Sequence, residues 1–154
     1  MNNHSLDDIV TAYSRFVPHQ FLQLLGKDNV VDITLGESLE KKMTILFSDM
    51  RDFTTLSESM TPRQNFEFIN AYLERMEPVI TEHNGVIDKY IGDAIMALFP
   101  TSPDDALECA IEMLGRLAGY NQERGKAGHR SVSIGIGLNT GLMMLGTVGG
   151  RNRI

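Results

Sequence analysis

Two aspartates stand where chemistry on phosphates needs them. Asp49 follows the apolar run Thr44-Ile45-Leu46-Phe47-Ser48, and Asp93 sits in the Gly92-Asp93 break between the apolar segments Val86 to Tyr90 and Ala94 to Phe99. Oxygen donors at the ends or bends of neighbouring strands are suited to Mg²⁺ or Mn²⁺. Magnesium takes one or two carboxylates and completes its octahedron with water and substrate phosphates. Where two such ions sit close together, they stabilise the attacking and leaving oxygens of a displacement. Each aspartate also has a plainer reading, Asp49 capping the turn that follows and Asp93 making a hairpin bend. The matching contexts of the pair favour the metal reading.

After Asp49, residues Met50 to Thr55 turn toward a short helical segment. Main-chain N–H groups at such a turn can receive phosphate oxygens, and Phe53 and Thr54 are the candidate donors. An ordinary strand-to-helix turn with Phe53 in the core fits the same pattern. Arg51 is either near phosphate or solvated. Lys89 lies among apolar neighbours, with Val86, Asp88 and Tyr90 expected on one face and Ile87, Lys89 and Ile91 on the other. A snorkelling or edge lysine is the alternative to a ligand-reading one.

The elements that must position these residues follow from periodicity. Lys41 to Phe47 reads as a central strand. Thr61-Pro62 supplies an N-cap and a proline at the first helical position, ahead of a helix with Phe66, Ile69, Leu73, Met76 and Ile80 at helical steps, ending near His83-Asn84-Gly85. Glu74, Arg75 and Glu77 read as its solvated face. Val86 to Tyr90 and Ala94 to Phe99 form a hairpin, Pro103 opens a helix to about Asn121, and Gly125 to Arg130 is a solvated turn. Val132 to Leu138 alternates as a strand, after which Thr140-Gly141 leads into a short apolar helix ending near Gly146 to Gly150. Upstream, Leu6 to Leu25 reads as two short helices broken at Pro18, and Gly26 to Lys42 as a connector with one extended piece. The order is β-α-β-β-α-β. It predicts an α+β sandwich with a ferredoxin-like core, an antiparallel sheet with helices on one face, carrying an N-terminal helical extension. The first strand and the hairpin are then central neighbours, so Asp49 and Asp93 can converge.

The 154 residues fit one domain with a sizeable core, divided here into a lead-in and connector over 1–41 and the principal part over 42–154. A net charge of −6 and the lack of a long basic run give no electrostatic grip on nucleic acid. The single cysteine, Cys109, has no internal partner and belongs to the apolar series Ala106, Leu107, Ala110, Met113 and Leu114, so it reads as core. No signal-peptide pattern and no bilayer-length apolar stretch occur, so the chain reads as a cytoplasmic piece with no membrane insertion of its own, in a parent that is soluble or membrane-anchored.

Three segments in order, Phe-Ser-Asp-Met-Arg-Asp-Phe-Thr at 47–54, Asp-Lys-Tyr-Ile-Gly-Asp-Ala at 88–94 and Gly-Ile-Gly-Leu-Asn-Thr-Gly at 135–141, resemble the catalytic domain of class III adenylyl and guanylyl cyclases. The resemblance runs from about Lys42 to Arg153, and Arg15-Phe16-Val17-Pro18 resembles the lead-in of bacterial multidomain members. It implies conversion of ATP to 3′,5′-cyclic AMP and pyrophosphate in intracellular signalling, with two Mg²⁺ or Mn²⁺ ions held by Asp49, Asp93 and the Met50 carbonyl. It also implies a homodimer whose interface forms the site, and upstream sensor or regulatory domains. Lys89 matches the family's adenine-reading lysine. Guanylyl cyclases usually carry a glutamate there, so ATP is the expected substrate and GTP the alternative.

Two departures accompany the resemblance. Asp52 stands where many members have glycine, which places a negative charge near the expected phosphates unless it points outward. The chain ends at Ile154, ahead of the family segment that carries the second base-reading residue, the catalytic asparagine and arginine and a phosphate-binding lysine. The expectation is therefore a domain incomplete at its C-terminus, with turnover severely reduced or absent. A diguanylate cyclase or polymerase-palm relative is disfavoured because Ile91-Gly92-Asp93-Ala94 lacks the expected turn. A non-catalytic module that dimerises and binds nucleotide remains the other reading.

Overall fold

A computed structural model describes residues 5–14 and 19–149. By contact the chain divides into two units, Met1–Lys41 with Leu142–Ile154, and Lys42–Gly141, and two long strands pass from one into the other.

In the first unit, α1 (Leu6–Tyr13) opens with a reciprocal cap in which the Ser5 hydroxyl accepts from the Asp8 amide and the Asp8 carboxylate accepts from the Ser5 amide. α2 (His19–Leu24) follows. The two helices agree with the periodicity, whereas the break at Pro18 and the Arg15 to Pro18 lead-in lie outside the described residues. The connector holds one 3₁₀ turn, Val30–Asp32, and its extended piece lies at its end, from Ser38 onward. Glu37 ties this unit together: its carboxylate meets Lys27 at 2.6 Å, and its carbonyl accepts from Thr147 N at 3.0 Å.

The second unit carries most of the sheet, whose strand order is β2 (Val86–Ile91), β3 (Ala94–Phe99), β1 (Ser38–Met50), β4 (Ile134–Gly146). β1 (Ser38–Met50) pairs antiparallel with β3 (Ala94–Phe99), and β3 with β2 (Val86–Ile91), giving the mixed α+β architecture with a four-stranded sheet. β1 is longer at both ends than its apolar run, and toward its end the pairing from Thr44↔Phe99 to Ser48↔Ile95 carries the ladder past Phe47. α4 (Pro62–Glu82) starts with the expected cap, now seen as a capping box between Thr61 and Gln64. Its core face is Phe68, Tyr72, Met76, Val79 and Ile80, while Phe66 is 71% exposed. Ile69 and Leu73 pack against this core as expected, so Phe66 alone of the expected face points outward and Phe68 and Tyr72 join the face.

α5 (Pro103–Lys126) runs past Asn121, since Leu117, Tyr120 and Arg124 still face the core. Arg124 is 8% exposed, with its guanidinium over the Phe68 ring at 4.7 Å and its Nε donating to the Arg130 carbonyl at 2.9 Å. Arg75, expected in solvent, lies over the Tyr120 ring at 4.5 Å and pairs with Glu123 at 3.0 Å. Cys109 is fully buried with Ala106 and Met113, as expected, whereas Leu107 and Leu114 face outward. Burial of each large core side chain is worth about 1.5–3 kcal/mol, which makes this helix-covered face the stable floor of the sheet.

β4 (Ile134–Gly146) corrects the expected helix after Thr140. The chain stays extended, with Thr140 Oγ1 2.8 Å from Thr44 Oγ1 on β1. Pairing with β1, a partner distant in sequence, overrides the helical reading of the Leu142 to Leu145 run, and the Gly150 end of that reading lies outside the described residues. Gly146 lacks the Cβ that would strike the Glu37 carbonyl, so close strand approach explains that glycine.

Candidate active site

The β2–β3 hairpin turns at Gly92-Asp93, where Gly92 has φ of +64°. Asp93 thereby comes beside the end of β1. Its Oδ2 accepts from the Met50 amide at 3.0 Å, and the Asp49 carboxylate lies near enough to act on its ionisation. Burial first, and the neighbouring Asp49 next, raise the Asp93 carboxyl above the ordinary carboxylate value. Two acids drawn together in this way favour a bound cation. Among the described residues no third His, Cys, Asp or Glu joins them. Two carboxylates fit a hard divalent ion that keeps water or phosphate on its other positions.

Asp49 is exposed and shares a face of β1 with Phe47, while Ser48 and Met50 are buried on the helix side. The register sets Phe47 opposite Met96, and Met96 opposite Lys89. One row across three strands therefore leads to Lys89 on the face that carries Asp49. A bulge between Ile87 and Lys89 corrects the strict alternation expected for β2: Ile87 packs against the core, and Lys89 lies on the other face. The lysine side chain is 58% exposed and sits 3.2 Å from Asp88.

The turn after Asp49 leads into α3 (Phe53–Glu58). Asp52 takes φ of +55°, a left-handed conformation that glycine adopts freely and aspartate tolerates. Its exposed side chain makes no cap bond to the helix. Phe53 is partly buried against Phe68, with ring centroids 6.5 Å apart, and Thr54 is exposed. A groove of about 1090 Å³ borders this turn at Arg51 and Asp52, but neither Asp49 nor Asp93 lines it. The acids instead belong to the open side of the turn.

Beneath them lies a feature absent from the sequence reading. Ser48 and Tyr72 are fully buried, and neither hydroxyl has a well-formed hydrogen-bond partner. Burial pushes the Tyr72 phenol up to about 12, with the Asp93 and Asp49 charges adding to the rise and Ser48 opposing it. Tyr72 occupied an unremarked helical position. Only the facing of α4 on β1 makes it a neighbour of the acids.

Residues 37–153 match the family described as the adenylate and guanylate cyclase catalytic domain. The chain is 42% identical to an adenylate cyclase of Anabaena cylindrica over 98% of this chain and 31% of that protein. It is 40% identical to the terminal-differentiation specific adenylate cyclase of Dictyostelium discoideum over 97% of this chain and 7% of that protein. It thus spans about a third of the first relative and under a tenth of the second. Among solved structures it is similar to the guanylyl cyclase Cya2, with 38% identity, a TM-score of 0.68 and coverage of 75% of this chain and 62% of that one. The adenylyl cyclase CyaB from P. aeruginosa is similar at 30% identity and a TM-score of 0.71, over 76% of this chain and 64% of that one. No helix among the described residues is long and apolar enough to cross a membrane.

Proposed function

The chain belongs to the adenylate and guanylate cyclase catalytic domain family, and from that premise we propose that it serves the conversion of ATP to 3′,5′-cyclic AMP and pyrophosphate. The observation that carries the reading is the meeting of Asp49 and Asp93, with the Met50 amide fixing the latter. In the reaction the substrate's own 3′-oxygen bonds to the α-phosphorus, the bond to the pyrophosphate oxygen breaks, and the 3′-hydroxyl proton is lost. Two Mg²⁺ or Mn²⁺ ions, when bound, supply the positive charge that favours loss of that proton and neutralises the triphosphate.

The residues of this chain bind and orient. Asp49, Asp93 and the Met50 carbonyl hold the cations, and the amides of Phe53 and Thr54 receive phosphate oxygens. Lys89 donates to N1 of adenine, an acceptor, which selects ATP over GTP. In a head-to-tail homodimer each Lys89 serves the carboxylates of the other copy. We assign this role to residues 42 onward, with 1–41 as lead-in. The setting is cytoplasmic signalling under sensor or regulatory domains of a longer protein.

Calorimetric titration with a non-hydrolysable ATP analogue, with and without Mn²⁺ and against the GTP analogue, tests the reading. Metal-dependent, adenine-selective binding is expected. Binding that ignores the metal, or favours guanine, overturns the metal or the substrate assignment respectively.

A further inference from the structure

The Met50 to Asp52 turn is tied on two sides. Met50 N donates to Asp93 on the hairpin at 3.0 Å, and Arg51 N donates to the Ser133 carbonyl at 2.8 Å, just ahead of β4. The Arg51 side chain then runs over the start of β4. A Cβ built on Gly135 would lie 2.6 Å from Arg51 Nη2, 2.9 Å from Cζ and 3.1 Å from Nε. The guanidinium therefore rests against the bare Cα of Gly135. The backbone itself does not demand glycine there, since Gly135 is not among the residues with positive φ. Room for Arg51 does. Among the described residues Arg51 has no carboxylate partner within ion-pair distance, so this seat, and not a salt bridge, holds its charged end.

We propose that Arg51 and Gly135 form a positioning pair: the guanidinium seated on Gly135 fixes the Met50 to Asp52 turn, and through it the placement of Asp49 and Met50 against Asp93. Cation affinity then depends on Gly135, which is itself no candidate ligand. The seat stands on geometry alone, while its consequence for cation binding rests on the metal reading above. Ordering an arginine costs rotamer entropy, which the main-chain bond at Ser133 and the contact with Gly135 must offset. The glycine of the Gly135-Ile136-Gly137 motif gains a physical reason on β4.

Gly135→Ala is a clean probe because the atoms a methyl would meet are the exposed, flexible end of Arg51 and not backbone. The fold survives and the guanidinium loses its seat. Arg51→Ala removes the guanidinium, and with it the three atoms nearest a methyl at 135. Amide hydrogen exchange over Met50 to Thr54 in ligand-free protein and Mn²⁺ affinity by calorimetry are read for both single variants and the double variant.

Each single variant should weaken Mn²⁺ binding about five- to tenfold and speed exchange in the turn. The double variant should be no worse than Arg51→Ala, in place of the product of two independent losses. Wild-type exchange and affinity in Gly135→Ala, or multiplicative losses in the double variant, would overturn the pair. If the unaltered protein binds no Mn²⁺, the metal reading fails separately. Exchange then decides the seat: faster in Gly135→Ala supports it, and unchanged overturns it.

Discussion

Met50 donates its amide to Asp93 Oδ2 at 3.0 Å, so the residue that follows one candidate metal carboxylate holds the other in place. The bond joins the end of β1 to the hairpin tip. The partial burial of Asp93, and then the nearness of Asp49, oppose its ionisation. Fixing two like charges at one place costs stability without a cation and gains affinity with one.

Replacing Asp93 by asparagine should separate those two effects. Asparagine keeps an oxygen for the Met50 amide and removes the crowded charge, so in chelator the Asp93→Asn variant should melt higher than the unaltered protein. Its Mn²⁺ affinity should fall by about tenfold or more, equivalent to about 1.4 kcal/mol. Scanning calorimetry with and without Mn²⁺ reads both. An unchanged Mn²⁺ affinity would refute the role of Asp93.

Gly85 closes α4 onto the sheet. Its amide donates to the Ile80 carbonyl at 2.8 Å, and a Cβ there would lie 2.7 Å from that carbonyl oxygen and 2.8 Å from Cε1 of Phe99. Neither obstacle is a flexible chain end, so Gly85→Ala should destabilise by about 3 kcal/mol, at the upper part of the overpacking range. A urea unfolding curve should show a lower midpoint at unchanged slope. A loss under about 0.5 kcal/mol, the scale of an ordinary surface change, would show that the helix end relaxes freely.

What the sequence makes legible is local. The run before Ser48 announces β1, Gly92-Asp93 announces the hairpin, and Thr61-Pro62 announces α4, because each signal lies within a few residues of its effect. The topology drawn from those elements sets β1 beside β3, the pairing on which the meeting of Asp49 and Asp93 depends. The misses are non-local. Leu142 to Leu145 joins a strand because β1 offers a ladder, Lys89 changes face relative to Ile87 because a bulge absorbs Asp88, and α4 turns Phe68 and Tyr72 inward to fill space above the sheet. Gly135 was visible as part of a motif, but its contact with Arg51 exists only after β4 has docked.

Alkali should weaken the fold through two buried acids. Burial, with Glu112 adding, pushes the Cys109 thiol to about 12 from 9.0, and burial chiefly pushes the Tyr72 phenol to about 12 from 10.0. Both folded values are raised, so the unfolded chain ionises first. Their contribution is whole below about pH 9 and is lost as pH climbs toward 12. The melting temperature should fall steadily across that window, less steeply above pH 10 in Tyr72→Phe and less steeply from pH 9 upward in Cys109→Ala. Native Cys109 should also resist iodoacetamide at pH 8. A wild-type slope in both variants would remove these groups as the cause.

Lys89 offers the sharpest test of substrate preference. It lies on the Asp49 face in register with Met96 and, beyond it, Phe47, so a purine against that row meets apolar side chains with one ammonium at their edge. Ammonium only donates and suits N1 of adenine; a carboxylate only accepts and suits the N1–H and N2–H of guanine. Lys89→Glu should therefore weaken binding of the ATP analogue about tenfold and strengthen that of the GTP analogue, inverting their ratio, since one good hydrogen-bonded pair is worth about 1–3 kcal/mol. Loss of the contact with Asp88 barely matters to the fold, because the lysine is mostly exposed and such surface pairs contribute about 0–1 kcal/mol. Lys89→Gln, which both donates and accepts, separates charge from hydrogen-bond direction and should bind the two analogues with similar affinity. Competition calorimetry in Mn²⁺ gives the ratios, and an ATP-to-GTP ratio equal in all three proteins would show that the base is read elsewhere.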